Sequence, residues 1–202
     1  MITLAKVKIC GLTRPCDIES VNIEKPDYVG FIFANSRRKV TPGQAMELRS
    51  KLANEIIPVG IFVDETIENI LPLVQNNVVE MIQLHGTESE EYIQRLKGLT
   101  GKPVIKAVPV QKAGDVQKWA STAADYLLLD SKGGGTGRAF DWSLIGKVTK
   151  PYFLAGGLDV NNIASAINQT AAFAVDVSSG AETDGLKDPD KIKDFIRSVR
   201  YG

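Results

Sequence analysis

This chain of 202 residues is short of cysteine, with two, and of histidine, with one, and it carries no net charge. Cys10 and Cys16 match neither a C-x-x-C redox pair nor a zinc-ligand pattern, and no disulfide is expected between them. Free thiols fit a reducing compartment, so the expected location is the cytoplasm. His85 stands alone, so any His-based triad or metal cluster must use it. No Ser-His-Asp order and no metal-ligand spacing accompanies it, and no metal is expected. Lys plus Arg and Asp plus Glu both total 24, so no global field favours nucleic acid or an anionic membrane. An anionic ligand would have to be caught by local features. No apolar run approaches the roughly 18 residues of a membrane span, and Met1–Lys6 does not lead into the apolar stretch of a signal peptide.

What is present is a repeating pattern. Short apolar runs begin near residues 6, 28, 57, 81, 104, 126, 152 and 173. Most end in a reactive or glycine-rich cluster: Cys10-Gly11, Ser36-Arg37-Arg38, Asp64, His85-Gly86, Lys106, Asp130, Gly156-Gly157, and Asp176 with Ser178-Ser179-Gly180. The spacing of 21 to 29 residues leaves room for one strand, one helix and two short loops each time. Helical patterns lie between the runs. Thr41-Pro42 reads as an N-cap and first helical position, followed by Ala45, Leu48 and Leu52. Thr66–Gln75 carries Ile67, Ile70, Leu71 and Val74, with Pro72 as an objection. The stretch Glu88, Glu90 and Glu91 reads as a solvated helix start. Asp115–Ala120 and Trp142–Ile145 look short, and Asn161–Ile167 and Asp190–Val199 complete the set. Trp119 and Trp142 read as packing residues.

Eight such units predict a single-domain (β/α)8 TIM barrel over residues 1–202, close to the lower size limit of that fold. No linker or composition shift marks a second domain. An open doubly wound sheet is the alternative, but it has fewer strands and one crevice. Here polar groups follow nearly every strand.

In such barrels the C-terminal strand ends carry the chemistry. Side-chain alternation sharpens the expectation. With Cys10 pointing inward, Lys8 and Lys6 point inward too, and Lys8 is then a buried cation in need of an acid. The same rule places Asp130, Asp176 and His85 at the mouth, with Gln83 below His85. Cys16 falls on a helix with no chemistry expected.

The loops after the seventh and eighth strands hold Gly156-Gly157 and Ser179-Gly180. That is where these barrels place a phosphate, because glycine admits close backbone approach and N–H groups at a helix start favour an anion. The third cluster, Lys132–Gly137, lacks the G-K-[ST] ending of a P-loop and reads as a mobile loop over the site.

Lys8-Ile9-Cys10-Gly11-Leu12-Thr13, Gly30-Phe31-Ile32-Phe33, Ser36-Arg37-Arg38, Gln83-Leu84-His85-Gly86, Gly134–Gly137 before Phe140-Asp141-Trp142, Gly156-Gly157-Leu158 and Asp176-Val177-Ser178-Ser179-Gly180 together resemble phosphoribosylanthranilate isomerase. The resemblance runs in order along essentially the whole chain. It implies an Amadori rearrangement of N-(5-phosphoribosyl)anthranilate to 1-(2-carboxyphenylamino)-1-deoxyribulose 5-phosphate in tryptophan biosynthesis, without cofactor or metal. By resemblance Cys10 is the general base and Asp130 the general acid. Arg38 would contact the anthranilate carboxylate, Asp176 the bridging amine, and Gly156, Gly157, Ser179 and Gly180 the phosphate. His85 is a candidate for the substrate site, with a structural hydrogen-bonding role as the alternative. The partner implied is a small phosphosugar, with the chain a monomer or homodimer. Lys39 stands where many members carry an aromatic residue. The alternatives are another phosphosugar isomerase, or a phosphosugar-binding barrel without catalysis. The histidine-pathway isomerase uses an aspartate where Cys10 stands.

This chemistry sets a protonation problem. A free cysteine titrates near ~8.5 and a free aspartate near ~3.9, so at pH 7 both would be in the wrong state. Burial should raise Asp130, and Lys8 and Arg38 should favour the Cys10 thiolate. Treated as a pair sharing one negative charge, they imply loss of activity at low pH as Cys10 gains a proton. They imply a second loss at high pH as Asp130 gives one up.

Overall fold

Strands β1 (Lys6–Cys10), β2 (Tyr28–Ile32), β3 (Ile57–Phe62), β4 (Met81–Leu84), β5 (Val104–Pro109), β6 (Tyr126–Asp130), β7 (Tyr152–Leu154) and β8 (Ala174–Val177) pair in chain order. β8 returns to pair with β1, closing a parallel barrel. The computed structural model describes residues 5–131 and 139–202, so the expected mobile loop, Lys132–Gly137, lies outside the described residues. The fold is the expected (β/α)8 TIM barrel.

Alternation along each strand makes two cores. One fills the barrel with Tyr28, Val59, Met81, Ile105, Leu128, Phe153 and Ala174. Lys6 closes its lower end, its ammonium 5.6 Å and 5.4 Å from the Tyr28 and Phe173 ring centroids. The other core lies between strands and helices and takes the opposite strand faces, including Val7, Ile9, Val29, Leu127, Leu129 and Val175.

The outer layer is α1 (Pro15–Glu24), α2 (Pro42–Lys51), α3 (Ile67–Gln75), α4 (Glu90–Thr100), α5 (Ile163–Thr170) and α6 (Pro189–Tyr201). α2 starts as its sequence predicts. Gln44 N–H donates to Thr41 Oγ1, and Thr41 N–H donates to Gln44 Oε1, a capping box that satisfies two otherwise orphaned donors. α3 runs through Pro72, which faces solvent, and buries Leu73 rather than Leu71 beside Ile67, Ile70 and Val74. The segments after β5 and β6 form only single 3-10 turns, Gln117–Trp119 and Trp142–Ile145. In the first, Asp115 turns its carboxylate back to accept the Gln111 and Lys112 N–H groups, each at 3.0 Å. That closes the loop locally and leaves little chain for a helix. Trp119 and Trp142 pack against the outer core as expected.

The reading of Glu88 as part of a solvated helix start is wrong. Glu88 and Lys106 have side chains 2 % and 1 % exposed and pair at 2.6 Å. Glu88 also accepts the Asp64 and Gly86 N–H groups, tying the β3 and β4 loops together. Lys106 sits inside β5, not at its end, and points outward beneath the Trp119 ring. Glu90 accepts the Thr122 hydroxyl and Ala123 N–H, and of the three acids only Glu91 is exposed. Replacing Glu88 by Ala should therefore cost about 3–5 kcal/mol, the penalty for leaving a buried charge unpaired. A urea midpoint shifted by no more than a surface substitution, about 0.5 kcal/mol, would restore the solvated reading.

Candidate active site

A cavity of about 270 Å3 opens at the C-terminal ends of the strands. Cys10 ends β1, Asp130 ends β6, and His85 follows β4; all three line it, with Asp176 from β8 and Arg38 from the loop after β2. Gly156, Gly157 and Ser179 complete the wall, while Gly180 is not among the residues that line it. Parallel pairing explains the convergence. In register, Lys8 lies opposite Asp176, and Cys10 opposite Gly30. A Cβ at Gly30 would come within 2.7 Å of the Cys10 sulfur, so the thiol occupies the space a side chain there would fill. Cys16 faces solvent on α1, away from this site.

The expected acidic partner of Lys8 is Asp176. The fully buried ammonium donates to Asp176 Oδ2 at 3.1 Å and to Gln83 Oε1 at 2.5 Å. Gln83 Nε2 lies 3.0 Å from His85 Nδ1, and His85 Nε2 lies 3.6 Å from Asp130 Oδ2. Among the described residues Asp176 Oδ1 is buried with no hydrogen-bond partner, so a donor in the cavity would relieve its desolvation.

Burial dominates the ionisation of both candidate catalytic groups. It pushes the Cys10 thiol up to about 11, and Lys8, Lys187 and Arg38 pull it back only in part. It pushes the Asp130 carboxyl up to about 6, helped by the nearby Asp176 charge and opposed by hydrogen bonds from Ser131. Lys8 and Arg38 therefore act in the expected direction but do not secure a thiolate in the ligand-free site. The order of the two titrations is the reverse of the expected one. Asp130 titrates on the acid side and Cys10 on the alkaline side.

The sequence of this chain settles its family. The profile of the N-(5'phosphoribosyl)anthranilate (PRA) isomerase family matches residues 7–198. The N-(5'-phosphoribosyl)anthranilate isomerase of Endomicrobium trichonymphae is 45% identical over 201 residues, covering 98% of this chain and 99% of that one. The chain belongs to the phosphoribosylanthranilate isomerase family.

Solved structures agree. The phosphoribosyl anthranilate isomerase of Thermotoga maritima superposes with a TM-score of 0.89 at 36% identity, covering 98% of this chain and 99% of that one. A second phosphoribosyl anthranilate isomerase structure, in complex with reduced 1-(o-carboxyphenylamino)-1-deoxyribulose 5-phosphate, gives 0.86 at 35% identity, covering 98% and 99%.

As a member of this isomerase family, the chain holds its two glycine-bearing loops side by side. Gly156 and Gly157 adopt φ of 82° and 64°, which directs the chain from β7 toward α5. A Cβ on Gly180 would collide with the Leu158 carbonyl oxygen, so the β8 loop reaches the β7 loop only with glycine there. Ser179 and Gly180 begin a 3-10 turn, where the first N–H groups lack helical acceptors.

Sequence reasoning missed one charged residue of the site, Glu182. It starts a hairpin, β9 (Glu182–Thr183) and β10 (Leu186–Lys187), that precedes α6. Its buried carboxylate accepts Arg38 Nε at 2.6 Å and Nη2 at 2.9 Å, Arg37 at 2.7 Å and Lys187 at 2.6 Å. Arg38 is thus clamped by two parallel bonds that do not use Nη1. The doubled Arg37-Arg38 was the available signal, since an arginine turned inward, as Arg38 is, needs a carboxylate. Lys39 is exposed beside it. Among the described residues, no group of three His, Cys, Asp or Glu side chains is placed to hold a metal ion.

Proposed function

We propose that this chain catalyses the isomerisation its family is named for, converting N-(5-phosphoribosyl)anthranilate to 1-(2-carboxyphenylamino)-1-deoxyribulose 5-phosphate, with Cys10 as base and Asp130 as acid. The observation that carries the reading is the placement of a buried thiol and a buried carboxyl of raised pKa in one cavity beside two glycine-bearing loops.

Asp130 in its protonated form donates to the ribose ring oxygen. The C1–O bond breaks, and the anilino nitrogen lone pair forms a C1=N iminium. The cation acidifies the C2 hydrogen. Cys10 as thiolate takes that proton, and the C2–H electrons form a C1=C2 enolamine. Tautomerisation moves the C2 hydroxyl proton to C1 and leaves the C2 ketone.

Asp176, with its unpartnered Oδ1, suits an N–H donor such as the bridging amine. The N–H groups of Gly156, Gly157, Ser179 and Gly180 suit the 5-phosphate, as helix-start and loop amides do for anions. Arg38 suits the anthranilate carboxylate through the edge that Glu182 leaves open. His85 suits the reacting centre beside Asp130. Substitution of Arg38 by Ala should lower kcat/KM about 10- to 100-fold, the loss of a charged hydrogen bond. An unchanged kcat/KM would remove Arg38 from the substrate site.

The test of the reading is turnover. Phosphoribosylanthranilate generated in situ should lose its fluorescence on addition of the wild-type chain, with chelator present. No loss, from a folded protein that binds the reduced product analogue, would favour a phosphosugar-binding barrel without catalysis.

A further inference from the structure

The row Lys8, Gln83, His85, Asp130, buried at Lys8 and Gln83 and open to the cavity at His85, fixes something that neither the fold nor the proposed reaction requires: the position of one imidazole proton. An ammonium has only donors to offer, so the Gln83 atom 2.5 Å from Lys8 Nζ must be its carbonyl oxygen. That orientation turns the Gln83 NH2 group toward His85 Nδ1, 3.0 Å away. An NH2 group can only donate there, so Nδ1 must present its lone pair. The ring proton is then on Nε2, the nitrogen 3.6 Å from Asp130 Oδ2.

We propose that Gln83, oriented by the buried Lys8 ammonium, is a positioning residue that holds His85 in the neutral Nε2–H tautomer facing Asp130. The alternative tautomer would set a lone pair opposite Asp130 and could draw off the proton that the carboxyl must deliver to the substrate. The Nε2–H form cannot accept that proton. It offers a donor to the carboxylate that remains after delivery. This consequence for catalysis rests on the reading of Asp130 as acid, while the tautomer itself does not.

The surroundings favour a neutral ring. His85 is held below its ordinary pKa by burial first, then by the Lys8 and Lys106 charges, while Asp176 and Glu88 act in the opposite direction. Gln83 is itself 2% exposed, so water does not compete freely for its amide. The network is anchored to the barrel, because Lys8 lies in β1, Gln83 in β4, and His85 N–H donates to the Phe62 carbonyl of β3 at 2.8 Å.

His85 is the only histidine of the chain, so one pair of imidazole 15N resonances reports its state without assignment. In long-range 15N–1H spectra of the wild-type protein at pH 7, Nε2 should be of the protonated type and Nδ1 of the unprotonated type. A protonated Nδ1, or averaged shifts indicating both tautomers, overturns the proposal. In Gln83→Glu the new carboxylate still accepts from Lys8 but can only accept from Nδ1–H, so Nδ1 should become protonated. An unmoved Nε2–H tautomer in that folded variant also overturns it. Gln83→Leu, which removes both bonds, should give averaged shifts, and serves as the second variant if Gln83→Glu does not fold. Turnover by the same samples separates the two claims. Absent wild-type activity with the expected spectrum would sink the isomerase reading and leave the tautomer assignment standing.

Discussion

Cys10→Ser and Asp130→Asn are each expected to lower kcat by about 10²–10⁴-fold, the usual contribution of one positioned acid or base, with the unfolding transition nearly unchanged. Serine keeps the shape at position 10 but has no accessible anion. Asparagine keeps the Ser131 N–H bond that Asp130 Oδ1 accepts at 2.7 Å but has no acidic proton for the ring oxygen. Neither change disturbs the ion pairs of the mouth, which run through Lys8, Asp176, Arg38 and Glu182. Steady-state kinetics on phosphoribosylanthranilate, paired with urea denaturation of each variant, checks this. Equal unfolding of both variants would make these residues structural. Wild-type kcat in either would remove it from the reaction.

Lys8→Met is expected to lose about 3–5 kcal/mol of stability at neutral pH, because Asp176 is left as a carboxylate 9% exposed with no cation. The double variant Lys8→Met, Asp176→Leu should recover much of that, since two apolar side chains remove both desolvation penalties. The sign with pH follows from Lys8. Burial, the largest single influence, lowers its pKa, but Asp176, Cys10 and Asp130 together outweigh it and leave the pKa raised. Its contribution is therefore complete below the unfolded value near ~10.4 and is lost as pH rises through the folded one. Urea midpoints for the wild type, single and double variants measure this. A single-variant loss under about 1 kcal/mol would mean that the pair is effectively solvated.

The barrel was legible because its period is. The eight runs start where the strands start, to within one residue at β8. The two short helical patterns duly become single turns. Alternation also placed Lys8, Cys10, His85, Asp130 and Asp176 correctly, since parallel strands put every second side chain on one face. What stayed hidden depends on contacts across the sequence. Glu88 reads as a surface acid until β5 brings Lys106 against it. Glu182 lies 144 residues from Arg38, and nothing near it in sequence marks it as buried. The protonation state of Cys10 was misread for a related reason, whereas the rise of Asp130 by burial was expected. The cations near Cys10 are visible in the sequence, but the depth of burial that outweighs them is not. The roles given to the family's motif residues came from resemblance, and their shared cavity supports them without testing them.

The pH dependence of kcat/KM tests the central claim, a Cys10 base and Asp130 acid that share one proton, because kcat/KM reports the ionisations of the free enzyme. Below about 6 Asp130 is protonated while Cys10 remains a thiol, so no base exists. Above about 11 both are anions, so no acid exists. Between the limbs the pair holds one proton, mostly on sulfur. The working form, with the proton on Asp130, is the minor arrangement of the pair. A broad bell is predicted, falling below pH 6 and again above pH 11, while the residual activity of Asp130→Asn, which still needs the Cys10 thiolate, should rise with pH toward 11 with no break near 6. A profile flat across both limbs, or an acid limb unchanged in Asp130→Asn, would contradict it.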